Sequence, residues 1–342
     1  MKVNSITSWL ISIFLIIILL IYGKSIILPF IIALLFWFVI KKTRNLIDKV
    51  YFIRKYIPKW LKTILASLVL FGGILFLGKV LTTNIDNLAI SYARYTSSIE
   101  VLAQNINDLF KINVNKQITQ FVQEFDFSTY LRILFNSISE ILGNMVIIIF
   151  YVTFLFIEEA LLENKIKLIF TNEERYKNVN DILLKVDKSM SSYISLKSLI
   201  SLMTTTFSYF ILLSVGIESP LFWAFLIFVF NFIPSIGPIL GTLFPALFSL
   251  IQFGEFLPFL VILFGVGGVA TLIGSLVEPK LMGNTLNISP LVAIMSLALW
   301  GSIWGILGML LSVPITVALI IVFSQFPNTR SIAILLSERG RV

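Results

Sequence analysis

The sequence contains no histidine and no cysteine, and it carries few charges: 26 Lys and Arg with 18 Asp and Glu in 342 residues. Without His and Cys, the chain has no disulfide, no zinc or haem site of the usual kind, no Cys nucleophile and no Ser–His dyad. Charged residues make up 13% of the chain, against about 25% in soluble domains. This composition excludes an ordinary soluble globular protein and, more firmly, a disordered chain.

Apolar residues are abundant instead, at 58% of the chain with 31 Phe. Because one helix needs about 20 apolar residues to cross a bilayer core, this supply is enough for roughly eight spans. We therefore predict an all-α polytopic membrane protein with about eight transmembrane segments in contact with the lipid bilayer.

The positions of the basic residues predict the topology. Residues 41–62 contain eight Lys and Arg and one acidic residue, whereas residues 82–140 contain four basic and six acidic residues. Short basic loops next to spans stay in the cytoplasm, so we expect loop 41–62 and both termini there. The net charge of +8 follows from this topology and predicts no nucleic-acid partner.

The same reading divides the chain into five regions: transmembrane helices 1–3 over 1–81, an extracytoplasmic helical domain over 82–140, transmembrane helix 4 with a cytoplasmic helical hairpin over 141–198, a C-terminal transport unit over 199–329, and a cytoplasmic tail over 330–342. Within 82–140, apolar residues from Leu88 to Leu109 alternate at spacings of four and three. That heptad seam predicts a helix that packs against a neighbouring subunit or within its own outer domain.

Two apolar stretches in the C-terminal half are too long for one simple span. Residues 221–251 are interrupted by Asn231, Pro234, Gly237, Pro238, Gly241 and Pro245, and residues 288–323 by Pro290, Gly301, Gly305, Gly308 and Pro314. Proline removes a backbone donor and glycine weakens a helix, so both stretches are predicted to be broken or re-entrant. In a membrane such backbone is tolerated where it is buried in protein or lines a wet cavity, which points to a transporter's binding site.

The residues at these interruptions carry a family resemblance. The segments are Asn-Phe-Ile-Pro-Ser-Ile-Gly-Pro at 231–238, Val-Glu-Pro-Lys-Leu-Met-Gly at 277–283, Ile-Ser-Pro at 288–290, Trp300 followed by glycines at 301, 305 and 308, and Val-Pro at 313–314. In their order and spacing the chain resembles the autoinducer-2 exporter (AI-2E) family, or PerM-like permeases. The resemblance implies export of a small signalling molecule such as autoinducer-2, a homo-oligomer that is expected to be a pentamer, and a bacterial or archaeal cell (inner) membrane.

The candidate pathway residues follow from the interruptions and the resemblance together: Asn231, Pro234, Ser235, Gly237, Pro238, Gly241, Pro290, Gly305, Gly308 and Pro314. Glu278 is the candidate for coupling to H⁺ or Na⁺, because a carboxylate at the end of an apolar span is costly unless it faces water or a partner. The alternative for Glu278 is a headgroup-level residue that pairs with Lys280 or caps a broken helix.

Other functions remain open at this point. An Na⁺(Li⁺)/H⁺ antiporter is one, although the last Asp is Asp187 and only Glu255 or Glu278 would serve as its membrane carboxylate. An oligomeric channel or scaffold is another. No enzyme is expected, since the predicted spans hold no Asp and the chain holds no His. No cofactor and no metal are expected.

Overall fold

The computed structural model describes residues 2–49, 51–91, 136, 139–170, 172–282, 287–338 and 340, and the regular elements in these ranges are helical. They are α1 (Lys2–Tyr22), α2 (Lys24–Ile47), α3 (Tyr51–Tyr56), α4 (Lys59–Ser91), α5 (Met145–Ile169), α6 (Glu173–Val215), α7 (Pro220–Phe230), α8 (Ile236–Phe253), α9 (Phe256–Leu272), a π-helical turn (Ile273–Val277), α10 (Glu278–Met282), α11 (Pro290–Ser324) and α12 (Arg330–Leu336).

Seven helical stretches among the described residues are long and apolar enough to cross a bilayer. They are Lys24–Ile47, Lys59–Asn84, Met145–Leu162, Glu173–Val215, Ile236–Phe253, Phe256–Met282 and Pro290–Ser324. Two shorter apolar helices, Leu10–Tyr22 and Pro220–Phe230, accompany them. The all-α polytopic membrane class is therefore confirmed, and the chain is a multi-pass membrane protein.

Helix α6 continues through the boundary that the sequence predicts between residues 198 and 199. The sequence predicts transmembrane helix 4 and a cytoplasmic helical hairpin over 141–198 and the transport unit from 199, yet α6 runs without a break over 43 residues. Its sequence contains no Gly and no Pro before Gly216, so nothing interrupts the backbone hydrogen bonds. The two arms of the predicted hairpin are thus parts of α5 and α6. At the start of α6 the Asn172 carboxamide oxygen accepts the N–H groups of Glu174 and Arg175.

The chain divides into two compact units. Unit 1 comprises residues 1–71, 140–194 and 287–342, and unit 2 comprises residues 72–139 and 195–286. In unit 1, α2 packs along α5 with edge-to-face contact between Phe30 and Tyr151 at 5.6 Å. The indole of Trp304 on α11 donates to the backbone oxygen of Leu20 on α1 at 2.9 Å.

A charge network joins α2, α5 and α6 within unit 1. The ammonium of Lys41 lies 2.8 Å from the Asp187 carboxylate and 3.8 Å from that of Glu159. The buried guanidinium of Arg44 lies 3.7 Å from Glu159, which also accepts the Trp37 indole N–H at 3.1 Å. Acidic residues of 158–197 thus neutralise basic residues at the start of loop 41–62, so both segments lie at one end of the unit.

A second ion pair in unit 1 makes stability depend on pH. The Asp48 carboxylate lies 2.5 Å from the ammonium of the buried Lys62. This hydrogen bond, with the positive charges of Lys62, Arg44 and Arg54, lowers the pKa of Asp48 below its usual 3.8. The pair therefore stabilises the folded state fully above pH 3.8, and the contribution is lost as pH falls through the lowered pKa.

We expect Asp48→Asn to lower the unfolding temperature of the detergent-purified protein at pH 7, because Lys62 keeps its buried charge without its partner. The difference between the variant and the wild type should shrink as pH falls below about 3.8 and Asp48 of the wild type becomes protonated. Asp181→Asn, which removes an exposed carboxylate, is the control. A gap between Asp48→Asn and wild type that stays constant down to pH 2 would exclude this pair as its source.

Some predictions lie outside the described residues. Most of the extracytoplasmic domain predicted over 82–140 does, and so does all of its heptad seam except its first turn, where α4 extends to Ser91. The five-region division stays a prediction.

Candidate functional site

The first interrupted stretch forms a helical hairpin in unit 2. Helix α7 ends at Phe230, the chain turns over 231–235, and α8 returns from Ile236. The arms are antiparallel: rings of Phe230 and Phe244 stack at 5.9 Å near the turn, and Trp223 and Phe248 meet at 5.0 Å nearer the other end. The predicted break in 221–251 is therefore present and lies at one short turn.

Three backbone N–H groups in the turn of this hairpin donate to carbonyl oxygens of α7. The N–H groups of Asn231, Phe232 and Ile233 donate to Ile227, Val229 and Phe230, at 3.0, 3.1 and 2.7 Å. Ser235 has φ 61° and ψ −48°, a backbone conformation that non-glycine residues seldom adopt. It is exposed at the tip, whereas the Asn231 side chain is buried.

Two candidate glycines allow the hairpin arms to approach closely. A Cβ atom at Gly237 would lie 1.8 Å from the backbone oxygen of Phe230, and one at Gly241 would lie 3.4 Å from Ile227 Cγ1. The prolines of α8 do not interrupt the helix. Pro238 lies in its first turn, where a missing N–H costs little, and Pro245 lies inside the helix without ending it.

The open end of the hairpin is hydrogen-bonded to the segment that directly follows α6. The Gln252 carboxamide accepts the N–H of Glu218 at 2.8 Å and donates to the Gly216 carbonyl at 3.1 Å. At the tip, the Asn231 carboxamide lies 3.5 Å from the Thr204 hydroxyl. Because Thr204 precedes Val215 by eleven residues, the tip lies about 16 Å from the base along α6.

Helix α6 turns a polar face towards the interior next to this tip. Lys197, Ser201, Thr204 and Ser208 are buried, with exposures of 6%, 0%, 2% and 0%. Their spacing of four, three and four residues places them on one side of the helix. The hydroxyl oxygens of Ser201, Thr205 and Ser208 are buried and have no hydrogen-bond partner.

The far end of this polar face holds an ion pair. The ammonium of Lys197 donates to the Glu278 carboxylate at 2.5 Å, with side-chain exposures of 8% and 26%. Glu278 directly follows the π-helical turn Ile273–Val277, a wider turn that is often found at functional sites. Glu278 therefore pairs with Lys197, and Lys280, the partner named in the alternative interpretation of Glu278, is exposed.

The second interrupted stretch, in unit 1, folds back in a similar way. Helix α11 is broken at Gly305, which has φ 64° and ψ −143°. A Cβ at Gly308 would lie 1.9 Å from the backbone oxygen of Trp300, much as Gly237 meets Phe230. Pro290 occupies the first turn of α11 and Pro314 is buried within its second half, so neither residue ends a helix.

The candidates therefore fall into two groups. Unit 2 holds Asn231, Pro234, Ser235, Gly237, Pro238, Gly241 and Glu278, and unit 1 holds Pro290, Gly305, Gly308 and Pro314. Lys197 and Ser201 are not among the residues predicted from the sequence, whereas Thr204–Thr206, Ser208 and Tyr209 form a polar stripe that predicts either a pathway lining or hydrogen bonds to its own backbone carbonyls. The signal was present as polar residues at helical spacing within an apolar helix.

Lys197 and Glu278 form an ion pair in unit 2. Within the described ranges, no group of three or more His, Cys, Asp or Glu side chains is placed to hold a metal ion. What the site offers is hydroxyls, a carboxamide and broken backbone beside one ion pair, a set suited to binding and passage of a polar solute.

Residues 9–328 match the family model described as AI-2E family transporter. The AI-2 transport protein TqsA of Escherichia coli is 27% identical over 325 residues, covering 94% of this chain and 92% of TqsA. Two further relatives are provisionally named transport proteins. The one from Haemophilus influenzae is 29% identical, covering 82% of this chain and 83% of the relative. The one from Borreliella burgdorferi is 30% identical, covering 71% of this chain and 67% of the relative.

Proposed function

The chain belongs to the AI-2E transporter family, and we propose that it is a secondary exporter of a small polyhydroxylated signalling molecule of the autoinducer-2 kind. Its pathway passes the tip of the α7–α8 hairpin. The name of the relative TqsA supports this substrate class, since that protein is named for AI-2 transport.

One observation supports the pathway most strongly: the interrupted backbone of the hairpin lies against the buried polar face of α6. The Asn231–Thr204 contact brings the two together about 16 Å from the hairpin base. That is roughly half the thickness of a bilayer core. Broken backbone at this depth is tolerated where it is buried in protein or lines a polar cavity, and the second arrangement is usual at a transporter's binding site.

We place loop 41–62 in the cytoplasm of a bacterial or archaeal cell, with the charge network of α2, α5 and α6 on the same side. The excess of Lys and Arg in this loop supports that orientation. Lys24 pairs with Glu140 at 3.2 Å at the other end of α2 and is assigned to the outer side. The functional form is expected to be a homopentamer, as the resemblance implies, which native mass spectrometry of the purified protein tests.

Export is tested with purified protein in liposomes loaded with labelled autoinducer-2. We expect efflux that needs the protein and saturates with concentration. Sodium/proton exchange is followed in the same vesicles with a pH-sensitive dye. Ion exchange without efflux of the signal would contradict the proposal, and efflux without exchange would support it.

Glu278 is our proposed point of coupling if efflux depends on an ion gradient. In this structure Lys197 neutralises its carboxylate, so a proton or a sodium ion at Glu278 would have to displace the lysine. Glu278→Gln, which cannot ionise, should then abolish the gradient dependence of efflux. Gradient dependence equal to that of the wild type would remove Glu278 from this role.

A further inference from the structure

Three hydroxyls of α6 lack the hydrogen bond that serine and threonine normally make in a helix. Such a side chain usually donates to the carbonyl three or four residues earlier. Thr206 donates to Leu202 at 2.7 Å and Ser214 to Ile211 at 2.8 Å on the same helix. The hydroxyl oxygens of Ser201, Thr205 and Ser208 make no such bond, although they are buried.

Buried polar atoms without partners are rare and costly, because they lose their hydrogen bonds to water and gain none. If these positions served packing alone, alanine would fill them without that penalty. Ser201 and Ser208 are fully buried and seven residues apart, so their hydroxyls are separated by about 10 Å along one face of α6. We call Ser201, Thr204, Thr205 and Ser208 the hydroxyl column.

The surroundings of the hydroxyl column indicate what it binds. The charged groups at its end, Lys197 and Glu278, pair with each other. Beside its middle lies the Asn231 carboxamide at the hairpin tip. Hydroxyl and carboxamide groups both donate and accept hydrogen bonds, which matches the hydroxyls of a neutral solute better than a bare ion.

We propose that the hydroxyl column, with Asn231, is the binding site for the hydroxyl groups of the transported molecule, a small neutral polyol about 10 Å or less in length. This inference rests on the proposed function and adds the residues that select the substrate. Ser201 and Ser208 are fully buried in this structure, so the polyol reaches their hydroxyls when the interior of unit 2 opens during transport.

Alanine variants separate binding from packing. Ser201→Ala and Ser208→Ala should each raise the KM for autoinducer-2 efflux about threefold to tenfold, the loss of one hydrogen bond. Each should leave the unfolding temperature unchanged or higher, since an unpaired buried polar atom is removed. Thr206→Val on the exposed face, where the hydroxyl already bonds to its own helix, is the matched control and should change neither value. A lower unfolding temperature with an unchanged KM would overturn the proposal.

Cysteine substitution tests the site without relying on transport, because the chain has no native cysteine. Ser201→Cys and Ser208→Cys should react with a small charged thiol reagent, whereas Leu202→Cys on the exposed apolar face should react far more slowly. Autoinducer-2 or a five-carbon polyol such as ribitol should slow the labelling of both buried positions.

The outcomes distinguish the two proposals. Protection by a polyol in a protein that exports no autoinducer-2 would retain the binding site and reject the proposed function. Efflux of autoinducer-2 with labelling that no polyol slows would retain the function and reject the site. Absence of labelling at both Ser201→Cys and Ser208→Cys would also reject the site.

Discussion

Gly237→Ala is expected to disrupt the α7–α8 hairpin and to abolish transport. The added Cβ would lie 1.8 Å from the backbone oxygen of Phe230 and 2.7 Å from its carbonyl carbon, separations at which neither group fits. The Phe230 oxygen is held in place because it accepts the N–H of Ile233 in the turn. To relieve this steric clash, the backbone of one arm has to shift, at a cost of about 3 kcal/mol or more.

The free energy of unfolding, measured by titration with a denaturing detergent, checks this prediction alongside efflux from liposomes. Gly268→Ala is the matched control: it lies in α9 of the same unit, and a Cβ there meets nothing within 4 Å. Alanine at that position should be neutral or stabilising by about 0.5–1 kcal/mol, because it favours the helix. Equal stability of Gly237→Ala and Gly268→Ala would show that the close contact is not rigid.

Gly308→Ala should behave like Gly237→Ala in the other unit. Its Cβ would meet the Trp300 oxygen at 1.9 Å, where the chain has just reversed at Gly305. Since both hairpins depend on a glycine pressed against the preceding helix, we expect similar losses of stability from the two variants.

Breaking the Lys197–Glu278 pair is the second change with a large expected effect. Lys197→Met leaves the Glu278 carboxylate unpaired, and Glu278→Gln leaves an ammonium that is only 8% exposed. Removal of one partner of a buried pair costs about 3–5 kcal/mol, and the quarter exposure of Glu278 reduces this to about 2 kcal/mol for Lys197→Met. Glu278→Gln should lower the free energy of unfolding more, because the Lys197 ammonium that it leaves unpaired is more buried than the Glu278 carboxylate.

The double variant Lys197→Met/Glu278→Gln decides whether the two residues act together. It should recover most of the stability lost in Glu278→Gln, because no buried charge remains unpaired. Losses that simply add in the double variant would contradict a direct pair. Lys280→Met, which removes an exposed charge two residues away, is the control and should change stability by less than about 0.5 kcal/mol.

The sequence carried enough information for the class of fold and for the two interrupted stretches, but not for the position of each break. Five Gly and Pro residues interrupt each stretch, and the chain reverses at 231–235 in the first stretch and at Gly305 in the second. Pro245 and Pro314 remain inside helices, while Gly237 and Gly308 permit contact instead of bending the chain. Which glycine bends and which one packs depends on its neighbours in space, which a linear reading does not supply.

The ion pair and the continuous helix α6 illustrate two further limits. Lys197 and Glu278 are 81 residues apart, so no local pattern links them, and Lys280 was the nearer partner to consider. For α6, the change in composition near residue 198 suggested a boundary, yet the absence of Gly and Pro between 173 and 215 favoured one helix. Backbone hydrogen bonding outweighed the change from polar to apolar side chains there.

We propose that the tip of the α7–α8 hairpin lies in the path of the transported molecule. The most direct test of this position is the reaction rate of Ser235→Cys with a charged thiol reagent in liposomes, with and without autoinducer-2. Asn328→Cys in an exposed turn is the positive control, and Ile239→Cys on the exposed apolar face of α8 is the negative control. We predict that Ser235→Cys reacts nearly as fast as Asn328→Cys, that autoinducer-2 slows this reaction, and that labelling blocks efflux. A rate as low as that of Ile239→Cys, with efflux intact, would contradict the claim.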